Sequence, residues 1–150
     1  MGLMDSLKGL FGGEPDHPTL DPQNYATARL EEVRPQLEEL MADVPDRLEV
    51  VPAEHAAYVF IGKPPDAFGL AWIHDGKLSN FKTLAKKHNV KEARLQRLSE
   101  HLREAYVRSK DAERFAYTLG ERTLVVTPST ELEDEVHKFI DEVIGESGSS

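Results

Sequence analysis

Two apolar strand pairs, each closed by turn residues and each leading into an amphipathic helix, leave few architectures open to this chain. The first pair is Ala56–Ile61, the turn Gly62-Lys63-Pro64-Pro65-Asp66, and Ala67–Ile73. The second is Phe115–Leu119, the turn Gly120-Glu121-Arg122, and Thr123–Thr127. Both read as hairpins, because glycine and Pro-Asp pairs supply turns between runs rich in aromatic and β-branched residues. With a short strand at Leu48–Val51 and helices around them, the predicted order is α-β-β-β-α-β-β-α. That is an α+β fold in which helices pack against an antiparallel sheet of about five strands.

A chain of 150 residues suits one domain with a real core. The predicted division is an amphipathic N-terminal peptide plus flexible linker at 1–18, an α+β domain at 19–145 and a disordered tail at 146–150. Leu3, Leu7, Leu10 and Phe11 share a helical face in the peptide, and the favoured reading has it folding back on its own domain or fraying. Gly2 with Ser6 matches the short myristoylation pattern, which occurs by chance. The formal charge of −9 repels nucleic acid and anionic membranes on average, so no nucleic-acid partner is expected. No apolar run reaches the roughly 20 residues needed to span a bilayer, so stable membrane insertion is not expected either. The absence of cysteine removes disulfides, thiolate chemistry and cysteine-based metal sites, and a cytoplasmic location is the expectation.

Local signals place the helices. Asp21-Pro22 reads as a start, with Ala26, Leu30, Val33, Leu37 and Leu40 forming a stripe that Pro35 should kink or divide. Asp75-Gly76 marks a tight hairpin turn. Residues 77–82 read as a short strand or loop that becomes helical near Phe81. Asn89 with Glu92 resembles a capping box for a helix running to about Ser109. Thr130 with Glu133 does the same for the last helix.

The constellations that bear on chemistry are few. Arg94, Arg97, His101 and Arg108 fall in one sector of a helix, with Lys86, Lys87 and Lys91 upstream; they are the candidate site for an acidic partner or an anion. Glu104 shares that sector, so a solvated face laced with ion pairs is the favoured reading. The small face Ala67, Gly69 and Ala71, with Trp72, His74 and Asp75 at its rim, is the candidate pocket or interface. Six histidines are scattered one per element and lack metal-ligand spacing. No serine sits in a nucleophile elbow and no glycine-rich phosphate loop occurs. No catalytic residue, metal or cofactor is therefore expected. Tyr58, Phe60, Phe68, Trp72, Phe115 and Tyr117 lie among aliphatic neighbours and read as core.

Strands 56–61 and 67–73 are apolar on both faces, so something must cover each. A second copy or a partner segment is favoured over helices alone. The element order resembles that of small acidic secretion chaperones, which are dimers that cradle partner segments, but order alone gives no function. The leading expectation is a non-catalytic protein-binding module: an adaptor, chaperone-like or regulatory protein, expected as a homodimer. The alternative is a small-molecule- or metal-binding domain, an enzyme included, with its pocket near Trp72-His74-Asp75.

Overall fold

The computed structural model describes residues 17–149, with backbone alone for 146–149; the amphipathic peptide at 1–11 lies outside the described residues. The elements are α1 (Tyr25–Glu32), α2 (Arg34–Asp43), β1 (Leu48–Ala53), β2 (Ala56–Lys63), β3 (Ala67–His74), β4 (Lys77–Asn80), α3 (Phe81–Lys87), α4 (Glu92–Arg108), β5 (Phe115–Leu119), β6 (Arg122–Val126) and α5 (Thr130–Ser149). The α+β class holds, with a correction to the sheet. It has six strands in the order β4-β3-β2-β1-β6-β5, and β1 lies parallel to β6 while every other pair is antiparallel. Residues 77–80 supply the extra strand, and the β1–β6 pairing makes the sheet mixed.

Alternation sorts the side chains into two cores. Val51, Tyr58, Phe60 and Leu70 face α3, α4 and α5, where they meet Phe81, Leu98, Leu102, Val136 and Ile140. Val50, Ala57, Val59, Ala71, Ile73 and Leu124 face the other way, onto Ala26, Leu30, Leu37 and Leu40 of α1 and α2. Helices thus cover both sides of the central strands in a three-layer arrangement, and no second copy is needed to hide the apolar sheet from water. All six residues of β1 are buried. Pro52, which has no N–H to give, lies beyond the last β6 partner of β1, the Val50–Val126 pair.

Caps explain where the helices begin. α1 starts at Tyr25, later than Asp21-Pro22 suggested, because the Asn24 side chain accepts from the Ala26 N–H at 2.9 Å. Pro35 divides the stripe as expected, with α2 opening one residue before it. Asn80 caps α3 by accepting from the Lys82 N–H. The cap of α4 is Lys91 and not Asn89, which instead takes a left-handed φ of 55° just past the end of α3. Ser129 Oγ accepts from the Leu132 N–H at the start of α5. The backbone of α5 is helical through Gly145 to Ser149, where the sequence reads as a tail.

Arg122 closes α2 from across the domain. Its guanidinium donates to the carbonyls of Met41 at 2.9 Å and Val44 at 2.6 Å, groups the helix C-terminus leaves unpaired, and to that of Asp46 at 2.6 Å in the loop beyond. Arg122→Ala is expected to cost about 2 kcal/mol in urea unfolding, since charged donors to backbone contribute that order. A loss below about 0.5 kcal/mol would mean that water serves those carbonyls equally well.

The two flanks of the sheet differ. Beside β5, the Ala116 N–H donates to Pro18 O at 2.7 Å and Ala116 O accepts from the Leu20 N–H at 2.9 Å, so residues 18–20 lie along that edge. Beside β4, no strand lies on the outer side among the described residues.

Candidate functional site

The structure splits the residues that the sequence grouped. Arg94 pairs with Glu142 at 3.1 Å and Arg108 with Glu135 at 3.6 Å, both on α5. The two ends of the basic stripe are therefore neutralised by the acidic helix packed beside it. Arg97 and His101 lie between them on the outer face of α4, with Glu100 and Glu104, along a depression of about 550 Å³. Every residue lining that depression belongs to α4, so it is a helix surface with one wall. A second cavity, of about 310 Å³, lies between the end of α4 and the start of α5; Arg108 and Lys138 share it with Glu131, Asp134 and Glu135.

The second predicted group is divided between the two faces of β3. Ala71 is buried under the α1–α2 layer, Gly69 is half-buried and Ala67 is exposed. Trp72 packs into the opposite core and stacks on His74 with ring centroids 4.6 Å apart. Asp75 forms the hairpin turn with φ 54°, its carboxylate 3.4 Å from His74 Nδ1. These six residues do not converge on one pocket. Among the described residues, no group of three or more His, Asp or Glu side chains is arranged to hold a metal.

The densest polar cluster is one the sequence reading missed. Glu49, the second residue of β1, is wholly buried. Its Oε1 accepts from Tyr106 Oη at 2.6 Å and Arg47 Nη2 at 3.1 Å, and its Oε2 from Thr127 Oγ1 at 2.6 Å and Arg114 Nε at 2.8 Å. Burial alone would raise this carboxyl's pKa. The charge of Arg114, the Thr127 and Tyr106 hydroxyls and the charge of Arg47 outweigh burial and hold it below its ordinary value. Burial, followed by the adjacent Glu49 charge, pushes the Tyr106 phenol up to about 12, so it stays protonated and donates. Arg114 spends its remaining donors on Ser109 O and Ser109 Oγ, at 3.0 and 3.1 Å. With every carboxylate oxygen doubly engaged, the cluster ties β1, β6 and the end of α4 together and offers no free group to a reactant. The one sequence signal was a glutamate inside an otherwise apolar strand.

A smaller chain runs from β2 to α5. Tyr58 Oη lies 2.9 Å from His137 Nδ1, and His137 Nε2 lies 3.3 Å from Asp141 Oδ2. Burial first, and then the charges of Glu133, Asp141 and Asp134, push the Tyr58 phenol up to about 12. A phenol so hard to ionise stays protonated and is poorly suited to attack as phenolate.

The outer surface carries one feature that the helical wheel only grazed. Residues 77–91, covering β4, α3 and the approach to α4, hold five lysines and none of the chain's 27 acidic residues. Lys77, Lys82, Lys86, Lys87 and Lys91 are all exposed. Among the described residues none of these lysines has a salt-bridge partner. α3 buries Phe81 and Ala85 against the sheet, which turns Lys82, Lys86 and Lys87 outward.

Against known proteins, no family model, no curated protein and no solved structure matches this chain. No described helix is long and apolar enough to cross a membrane.

Proposed function

We propose that this chain is a non-catalytic protein-binding module whose binding face is the lysine-rich surface of β4 and α3. The observation that carries the reading is the segregation of charge: five exposed lysines, without an ion-pair partner among the described residues, stand together on a chain of net charge −9. Elsewhere the basic side chains are largely spent within the fold. Arg29, Arg34, Arg47, Arg94, Arg108 and Arg114 each face a carboxylate. A basic surface left open in such a molecule favours an acidic partner and repels basic ones. The closed hydrogen bonding of Glu49 supports a structural role for the one deeply buried acid among the described residues.

The test compares the native protein with Lys82→Glu/Lys86→Glu/Lys87→Glu. All three side chains are exposed, so stability should change by no more than about 0.5 kcal/mol per site. A partner that co-purifies from native extract with the wild-type chain is expected to be acidic, released by salt and lost from the triple variant. Retention of the same partner by the variant would move the binding face elsewhere. A stoichiometric small ligand in native mass spectrometry, with no protein partner, would overturn the reading.

A further inference from the structure

We infer that the partner docks by adding an extended acidic segment as a further strand along the open edge of β4. This inference rests on the protein-binding reading above and names how the binding works. Asp75 and Gly76 have φ of 54° and 72°, the two positive values of a type I′ turn, and the strands pair His74 with Lys77. In such a hairpin the residues flanking the turn form the hydrogen-bonded pair, and the pattern alternates from there. Lys77 and Ser79 therefore turn their backbone groups inward to β3. The N–H and C=O of Leu78 and the N–H of Asn80 point outward, on the side where the described sheet ends.

A strand laid there runs beside Lys77 on β4 and the outward lysines of α3. Acidic side chains in that strand meet lysines that no described carboxylate pairs with, while its backbone completes the ladder. The available edge is short, so few main-chain bonds form and charge must supply much of the affinity.

Charge also selects among occupants. A second copy pairing edge to edge about a two-fold axis would bring Lys77 and the α3 lysines toward their own copies, which is repulsive. A nucleic acid complements the charge but cannot use the backbone ladder. The patch contains lysine and no arginine, and so lacks the planar forks that bind phosphate bidentately. An acidic, extended peptide uses both features.

The experiment is fluorescence anisotropy on the full chain with a labelled ten-residue peptide alternating Glu and Val. Its companions are the same peptide N-methylated on alternate backbone nitrogens, in both phases, and a ten-nucleotide oligo-dT. The unmodified peptide is expected to bind, and to weaken about tenfold or more in Lys82→Glu/Lys86→Glu/Lys87→Glu and in high salt. One phase of N-methylation should weaken it severalfold and the other should matter little, because an added strand bonds through alternate residues. Equal binding of all three peptides would overturn strand addition and leave the acidic-partner reading standing. Tighter binding of oligo-dT than of any peptide would overturn both. No binding by any probe would overturn the strand-addition inference, with the co-purification experiment still deciding the proposed function.

Discussion

Replacing Glu49 with alanine is expected to destabilise this protein by about 3–5 kcal/mol, because it strands the Arg114 guanidinium in a largely buried site without its anion. The hydroxyls of Tyr106 and Thr127 lose their acceptor in the same step. Domains of ordinary stability have about 5–15 kcal/mol in hand, so the loss should show as a fall in Tm of roughly 10 °C. The paired change Glu49→Leu/Arg114→Met should be milder than Glu49→Leu alone, since removing both charges leaves neither to be desolvated. Acid offers an independent check. The folded carboxyl titrates below its ordinary 4.5, so its contribution is complete above that value and drains away as the pH falls through the lower folded value. The stability gap between wild type and Glu49→Ala should therefore narrow between pH 7 and strongly acid solution. A gap that stays constant would show that Glu49 acts by shape and not by charge.

Phe60→Ala is expected to cost a similar amount, about 3–5 kcal/mol, by opening a cavity in the core beneath α4. Phe60 is wholly buried, and its ring centroid lies 5.5 Å from that of Phe68 and 5.2 Å from that of Tyr106. Tyr106 is thus held on one side by an aromatic contact and on the other by Glu49. Loss of Phe60 should slacken the Tyr106 ring and weaken the Glu49 cluster with it. The double variant Phe60→Ala/Glu49→Ala should then be less destabilised than the two single losses added together. Strict additivity in urea unfolding would show that the core and the polar cluster are independent.

The hairpins were legible because their signals are local. Asp75-Gly76 lies between two runs that must pair if either pairs, and a turn dipeptide needs no knowledge of the rest of the chain. Pro35 announced the division between α1 and α2 for the same reason. The neighbour of β1 was not legible. Alternation shows which face a residue takes, but it does not say that Glu49 will lie beside Val125. The Glu49 cluster was hidden for a related reason: three of its four donors, Tyr106, Arg114 and Thr127, stand 57, 65 and 78 residues away. A glutamate between Leu48 and Val50 gives no sign of them.

Helical wheels failed in an instructive way. They placed Arg94 and Arg108 on one side of α4 correctly, but a wheel is blind to whatever packs alongside, here the acids of α5. The lysines of β4 and α3 were harder to see as a unit because they span a strand, a helix and a loop, and no single periodicity joins them. The cap at Asn89 misled because a left-handed asparagine that ends one helix carries the same letter as one that begins the next.

Residues 18–20 have a consequence for how large any assembly can grow. They pair with Ala116 at the far margin of the sheet, so among the described residues a guest strand meets a competitor there and none along β4. A molecule with a single vacant margin cannot be threaded into a filament through its strands. It terminates whatever it joins, which predicts one-to-one stoichiometry and complexes of fixed mass at any concentration.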